Sequence, residues 1–354
     1  MHQSVNLLQT PRSLAVDSDG TAAVFVSEPA SFDAIPGFNE LVPCWNVRYS
    51  EGITAIIEVQ AAPSPGTQGL EWSQWMEIGR VGASSSIAAG LADWSSQDRH
   101  LRMHVDIDTL GANRPLAFAR CRVRALATPG LRGPASLVLE QLSLTATSPA
   151  PEIEQARCRV DERTGPAVVV HAVAFRSQHT PRSELAGRIC SPTSVAMVLG
   201  AAGVDVAVQS VADAAYDQVH DIYGNWPRNV QAAFELGASR GVRSRFARFS
   251  TPEQAERWLA EHGPIVASIA VEPGELTGAP YPETDGHLVV ITGYDRNRGK
   301  LMVNDPAARD AEHGVLEYSM REFYPIWLGR CKGSCYLIEA VALPTESNAA
   351  PRAR

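Results

Sequence analysis

The chain changes its hydrophobic rhythm once, across a polar stretch at 148–165, and this change constrains its architecture more than any other feature. Before the stretch, from 21 to 145, short β-type runs recur at 22–26, 41–47, 53–59, 100–108, 116–125 and 137–144, separated by turn residues. Runs of that length and spacing predict an antiparallel β-sandwich. Ala117, Ala119, Cys121 and Val123 alternate with Arg120, Arg122 and Arg124, and a period of two puts the apolar set on one buried face. Cys121 thus reads as a small core hydrophobe, not a reactive thiol. The run Pro63-Ser64-Pro65-Gly66 is a loop, because each Pro removes a ladder donor. No internal repeat is found.

After the stretch the order reverses. Helical segments come first, at 191–199, 210–217, 229–240 and 252–262. The last has Thr251 as N-cap with Gln254 three residues on, a capping box, and Gly263-Pro264 closes it. Strands follow at 265–271, 287–292, 300–304, 315–318 and 336–341. Helices grouped before strands indicate an α+β domain, a helical lobe on an antiparallel sheet. The polar stretch itself, with Pro149, Pro151 and seven charged residues, reads as a domain boundary. The expected division is therefore a β-sandwich at 1–148 of accessory or binding role, a linker at 149–165, an α+β domain at 166–343 and a flexible tail at 344–354. A chain of 354 residues has the mass for two ordinary cores.

Charge narrows the partners. Lys and Arg total 31 against 39 Asp and Glu, a net charge of −8, so no basic field draws in nucleic acid. No apolar run approaches the roughly 18 residues of a membrane span; the best, 167–175, is short and holds His171. The N-terminal residues have neither a basic start nor a long apolar centre, which is no secretory signal as written, and the compartment stays open. Six cysteines, Cys44, Cys121, Cys158, Cys190, Cys331 and Cys335, are too dispersed for a disulfide framework and lack paired zinc spacing.

Cys190 stands apart among them. It directly precedes Ser-Pro-Thr-Ser-Val-Ala-Met-Val-Leu, with Pro192 in the first turn of the expected helix and Gly203 beyond its end. At a helix N-terminus the macrodipole and unpaired N–H groups favour thiolate over thiol and stabilise a neighbouring oxyanion. His287 opens a strand that runs into the turn 295–299, and 300–305 returns as its partner. A register centred on Arg296 makes His287 and Asp305 direct cross-strand neighbours on one face; centring on Asn297 leaves their approach to the turn. A carboxylate beside an imidazole fixes its tautomer for proton transfer. Asn304 is a second candidate for the orienter, but it has the opposite parity and should point to the other face.

Cys, then His, then Asn or Asp is the chain order of papain-like cysteine hydrolases. The segment from about 173 to 339 resembles bacterial cysteine peptidases related to the double-glycine leader peptidase domain of bacteriocin exporters, the C39-like peptidases. Five collinear blocks carry the likeness, at 190–199, 224–227, 274–280, 286–290 and 303–307. Phe-Asn-Glu-Leu-Val-Pro-Cys-Trp-Asn at 38–46 resembles the N-terminal part of the same proteins. The resemblance implies a papain-like fold, with Cys190 as nucleophile, His287 as base and Asp305 as orienter. It also implies an oxyanion glutamine before the nucleophile; Gln178, twelve residues upstream, is the one Gln in that region. Many relatives carry an export signal, which points to a secreted or periplasmic location, whereas the N-terminus as written leaves the cytoplasm open.

Asn225 and Trp226, in Gly224-Asn225-Trp226-Pro227, read as a wall of the substrate cleft or as core packing. Cys331 and Cys335 flank Lys-Gly-Ser and form either a bridge or two thiols. His100 and His104 share a strand face with Asp106 and Asp108, a metal-ligand pattern that a solvated face explains better; no metal and no cofactor is expected. The expected function is hydrolysis of peptide bonds in a peptide or protein substrate by a Cys-His-Asp triad. Two alternatives stay open: an acyltransferase or amidase using the same residues, and a catalytically silent protein that binds a peptide or carbohydrate through its first domain.

Overall fold

The computed structural model describes residues 1–16, 22–66, 69–82, 97–98, 101–128, 130–131, 133, 135–148, 165–180 and 182–340. The expected linker up to 164, the tail at 344–354, Cys158 and His100 lie outside the described residues. Among the described residues the molecule is β-rich, with three antiparallel sheets and few helices.

The first half supplies β1 His2–Asn6, β2 Arg12–Val16, β3 Ala23–Val26, β4 Ala30–Ser31, β5 Phe38–Tyr49, β6 Ile53–Ala62 and β7 Met76–Gly82. It continues with β8 Gln97–Asp98, β9 Met103–Asp106, β10 Thr109–Leu116, β11 Phe118–Ala127 and β12 Ala135–Thr147. One sheet runs β1-β12-β5-β10-β9-β8 with β2 on β12, and the second runs β3-β11-β6-β7 with β4 on β11. Both face a common core that includes Trp45, Ile57, Met76 and Leu139. Cys121 belongs to that core and is fully buried, as its period-two neighbours imply. The expected run 116–125 is the end of β10 followed by β11, broken between Leu116 and Phe118. In this half β1, β2, β4, β7 and β8 had no expected counterpart, and β10 had one only at Leu116. The first five are short or carry Glu77 and Arg80 amid the apolar residues, which blurs the β signal.

The second half adds β13 Val168–Val170, α1 Cys190–Ala201, α2 Val208–Ala215, α3 Trp226–Leu236, β14 Val242–Arg248, α4 Pro252–Glu261, β15 Ile265–Val271 and β16 Thr284–Asp295. It closes with β17 Lys300–Asn304, α5 Ala311–Gly314, β18 Val315–Ser319, α6 Met320–Tyr324 and β19 Ser334–Ala340. Its sheet runs β14-β19-β15-β16-β17-β18, with β13 on β16. Helices α1 and α3 share a core with one face of the sheet through Val195, Val230 and Val290. Trp258 and Leu259 of α4 pack with Ile269, Val289 and Trp327 in another. The capping box at Thr251 and Gln254 forms as read from the sequence.

The helix expected at 229–240 begins earlier and ends sooner. Asn225 caps α3 by accepting from the Arg228 N–H at 3.1 Å, and Pro227 sits in the first turn, where no donor is needed. At Gly237 a Cβ would lie 2.4 Å from the Val242 side chain, so the chain turns there and continues as a short 3-10 segment at Ala238–Arg240.

The two halves are joined by more than chain connectivity. Strand β5 is buried on both faces from Leu41 to Val47. Its Val42 and Cys44 belong to the core of α1 and α3. The Gln231 side chain of α3 accepts from the Val47 N–H at 3.0 Å and donates to the Val47 carbonyl at 2.7 Å, imitating the edge of one more strand. Asn46 accepts from the Ser244 N–H at 3.2 Å, and the Trp226 N–H donates to Asp108 at 2.8 Å. Burial lifts the Asp108 carboxyl to about 6.

Candidate active site

Cys190 is the first residue of α1, after Ile189 at the N-cap. The helix is buried from Ser191 to Leu199, consistent with a sequence apolar all round, and it is pinned to the sheet at its first turns. Ser194 Oγ donates to the Leu288 carbonyl at 3.0 Å, and Ser191 and Tyr336 hydroxyls pair at 2.9 Å. Beyond its end Gly203, at φ +79°, lets the chain leave in the left-handed region, with the Val204 N–H bonded to the Leu199 carbonyl at 2.9 Å.

His287 lies on β16, opposite Ile269 of β15. It is 5% exposed, and Asp305, just past β17, is fully buried. His287 Nε2 is 2.7 Å from Asp305 Oδ1. The Cys190 sulfur lies beside His287 and the backbone N–H groups of Leu288 and Ser191, all of which favour its thiolate. The described structure thus brings Cys190, His287 and Asp305 into one chain of contacts.

The register differs from the one centred on Arg296. Val290 pairs with Asn304 and Ile291 with Val303, and an irregularity follows before Gly293 meets Met302. The pairing next to the site is therefore centred on Asn297, and His287 and Asp305 are diagonal rather than directly opposed. The turn sets the difference by pairing Asp295 with Lys300, and the bulge at Thr292 takes back one residue before the site; there β13 comes close, since a Cβ on Gly293 would lie 2.1 Å from the Val169 carbonyl oxygen. The displacement is two residues, an even number, so both side chains stay on one face, and diagonal neighbours remain within reach of long side chains. Asn304 points away, its Nδ2 donating to the Val173 carbonyl at 3.0 Å.

Two tyrosines complete the site that were not read from the sequence. The hydroxyls of Tyr281 and Tyr318 each donate to Asp305 Oδ2 at 3.0 Å. The Ala307 N–H donates to Oδ1, also at 3.0 Å. The Tyr281 ring stands edge-on to His287, with centroids 5.0 Å apart. Tyr281 lies six residues before His287, between Pro280 and Pro282, and Tyr318 is on β18 opposite Leu301. Only the position of Tyr318, one strand beyond β17, was accessible to sequence reasoning.

These contacts set the ionisation. Burial opposes charge on all three groups, yet the hydrogen bond and charge of His287 hold the Cys190 thiol below its ordinary value. Burial likewise disfavours imidazolium, but Asp305 and then Cys190 raise His287 to about 10. Asp305 is held low by His287, Ala307 and Tyr281 against its own burial. Both phenols are pushed up by burial and by the carboxylate they face. The favoured state is thiolate, imidazolium and carboxylate together. By contrast, burial pushes Cys44 up to about 12 and Cys121 and Cys335 upward too.

Gln178 is 6% exposed, and its Oε1 has no hydrogen-bond partner. Its backbone N–H donates to the Pro306 carbonyl at 2.9 Å. Ser177 Oγ reaches the Ala308 carbonyl at 2.6 Å and His179 Nε2 the Ala307 carbonyl at 3.0 Å. The segment 177–179 is thereby stitched to the loop that follows Asp305.

Asn225 and Trp226 stand at the start of α3, and Trp226 packs against the same core as Cys190. Besides capping α3, Asn225 donates to Asp217 at 2.9 Å. The Trp226 indole stacks on Phe246 at 4.6 Å and lies beneath the Arg248 guanidinium, in the core shared with β5. Cys331 and Cys335 are free thiols; Cys335 is buried and donates to the Ala247 carbonyl at 3.4 Å. His104 is on β9. Among the described residues no group of three His, Cys, Asp or Glu side chains is arranged to hold a metal, and no helix is long and apolar enough to cross a membrane.

A thiol at a helix start, beside an imidazole that is hydrogen-bonded to a buried carboxylate, has the makeup of a nucleophilic cysteine site. Residues 170–334 match the model of the Peptidase_C39 like family, a likeness to a cysteine peptidase fold confined to that segment. Among solved structures, the chain is similar to a double glycine motif protease from an AMS/PCAT transporter, solved in complex with the leader peptide. The identity is 18% and the TM-score 0.33, covering 49% of this chain and 95% of that one. It is also similar to xylellain, a cysteine protease from Xylella fastidiosa, at 10% identity and a TM-score of 0.35, covering 50% of this chain and 87% of that one. No curated protein matches the sequence.

Proposed function

We propose that the protein is a cysteine peptidase that hydrolyses peptide bonds through Cys190, His287 and Asp305. In this reading the Cys190 thiolate attacks the scissile carbonyl carbon while the Ser191 N–H and the Gln178 amide stabilise the oxyanion. His287, held as imidazolium by Asp305, gives its proton to the leaving amine. It then takes a proton from the water that hydrolyses the thioester, returning Cys190 as thiolate. The first half, read as a β-sandwich at 1–148, serves as an accessory or binding module, and 166–343 as the peptidase domain. A peptide or protein is the substrate.

The observation that carries the reading is the continuous contact from Cys190 through His287 to Asp305, with His287 Nε2 2.7 Å from Asp305 Oδ1. The test is incubation of the full chain with a mixed peptide library, with and without an added amine, read by mass spectrometry. New peptide termini that disappear in Cys190→Ala are expected. Amine-capped products without free carboxyl termini would replace hydrolysis by acyl transfer, and an unchanged library would falsify the enzymatic reading.

A further inference from the structure

The chain between β15 and β16, residues 272–283, carries Tyr281 to Asp305 and is fastened at other points as well. Glu275 Oε1 accepts from the Arg330 guanidinium at 2.6 Å, and the same guanidinium donates to the Ala270 carbonyl at 3.1 Å. Leu276 is buried in the core that holds Phe323 and Trp327. Thr277 is exposed, yet both its donors go to one carboxylate. Its N–H meets Glu322 Oε2 at 3.0 Å and its hydroxyl meets Glu322 Oε1 at 3.1 Å.

Glu322 lies on α6, and α6 reaches the site by a second route. Phe323, the next residue, stacks on Tyr318 with centroids 5.9 Å apart. Tyr281 and Tyr318 both donate to Asp305 Oδ2, so one short helix bears on both donors. Tyr281 is the outer of the two: it is half-buried, whereas Tyr318, His287 and Asp305 are buried. Its ring stands edge-on to His287. Pro280 and Pro282 flank it, and their fixed φ angles stiffen the backbone that presents the ring.

The hydrogen bond from His287 Nε2 to Asp305 Oδ1 is strong only while water is kept from competing for its two ends, since attraction between charges weakens as the surroundings become wetter. Tyr281 is the half-buried group laid against both partners, which makes its position decisive for that seal. The position is not set at the site alone. Hydrogen bonds to an ionised acceptor are stronger than neutral ones, and Glu322 makes two of them to Thr277, four residues before Tyr281.

We propose that Glu322 is a positioning residue: through Thr277 it latches residues 272–283 so that Tyr281 covers the hydrogen bond between His287 and Asp305 and keeps water from it. The effect on turnover rests on the reading of Cys190, His287 and Asp305 as a peptidase site. The cover itself does not.

The test observes the proton between His287 and Asp305 in the full chain by NMR, as the downfield ring N–H resonance that Asp305→Ala abolishes. The wild type should show it near neutral pH, exchanging slowly with water. In Glu322→Ala the exchange should quicken about tenfold, which corresponds to about 1.4 kcal/mol. Glu322→Gln should restore slow exchange, because its amide oxygen accepts from the Thr277 N–H and its NH2 donates to the Thr277 hydroxyl oxygen. Thr277→Val, an exposed change that keeps the N–H bond and deletes the other, should fall between. With any peptide the wild type cleaves, kcat should fall in the same order while KM holds. A wild type without the resonance, exchange unchanged in Glu322→Ala or Thr277→Val, no recovery in Glu322→Gln, or a rise in KM at constant kcat overturns the proposal. Exchange that quickens in Glu322→Ala and recovers in Glu322→Gln, beside a peptide library left uncut by the wild type, supports the cover and removes the peptidase reading alone.

Discussion

Replacing Asp305 by Asn isolates what the carboxylate does to His287. The substitution keeps the volume and leaves an oxygen to accept from Tyr281 and Tyr318, which now meet Oδ2 at 3.0 Å each. What disappears is the charge facing His287 Nε2 at 2.7 Å. A hydrogen bond to a charged group contributes about 1.5–3 kcal/mol, and one pKa unit corresponds to about 1.4 kcal/mol. The imidazole, raised to about 10 in the wild type, should therefore titrate about one to two units lower. Because the folded value lies above the ordinary 6.5, the stabilisation is complete below pH 6.5 and lost as pH rises through about 10; in Asp305→Asn the loss should come earlier on the alkaline side. The assay is an NMR titration of the His287 ring protons, paired with thermal unfolding across the same range. An imidazole in Asp305→Asn that titrates where the wild type does, in a protein that is folded, refutes the argument that Asp305 sets its ionisation.

Alkylation by iodoacetamide at about pH 6 should fall on Cys190 and spare Cys44, Cys121 and Cys335, whose thiols burial pushes upward; peptide mapping reads this, and equal labelling of Cys44 would count against the thiolate. Cys190→Ala should retain the unfolding midpoint and lose all turnover of any peptide the wild type cleaves. Tyr281→Phe and Tyr318→Phe should each cost about 1 kcal/mol and the pair more than the sum, since only the double variant leaves Oδ2 without a donor. Asp305, held below 3.8 in the fold, contributes stability above that value and loses it as pH falls through its folded value. Acid unfolding of the double variant should accordingly begin at a higher pH than in the wild type. Gln231→Ala leaves both polar groups of Val47 without their side-chain partner and should cost about 2–4 kcal/mol by denaturant unfolding. A loss below about 0.5 kcal/mol would show that the junction of the two halves does not rest on that contact.

The parts that were legible from residues alone are those with a local signal. Cys190 could be placed at a helix start because Pro192 and Gly203 punctuate one short segment, and the cap at Thr251 and Gln254 is complete within four residues. The face shared by His287 and Asp305 followed from parity, which survives any even change of register. The actual register did not follow, because the turn pairs Asp295 with Lys300 and a bulge at Thr292, where β13 joins β16 from more than a hundred residues upstream, shifts it once more. Trp226 shows the same limit: its flanking Gly and Pro fit a cleft wall or a core position, and the stacking partner Phe246 comes from another element.

Sequence by itself determined the change from strands to helices and strands, the burial of Cys121 and the helix that Cys190 begins, since periodicity and capping act between neighbours in the chain. Tertiary structure alone decided that Tyr281 and Tyr318 converge on one oxygen of Asp305, and that Val42 and Cys44 of β5 complete the core beneath α1 and α3. The reason is physical. A buried carboxylate needs several donors at once, and an apolar strand face needs a partner surface. Both requirements can be read from one segment, but the residues that meet them come from wherever the chain returns.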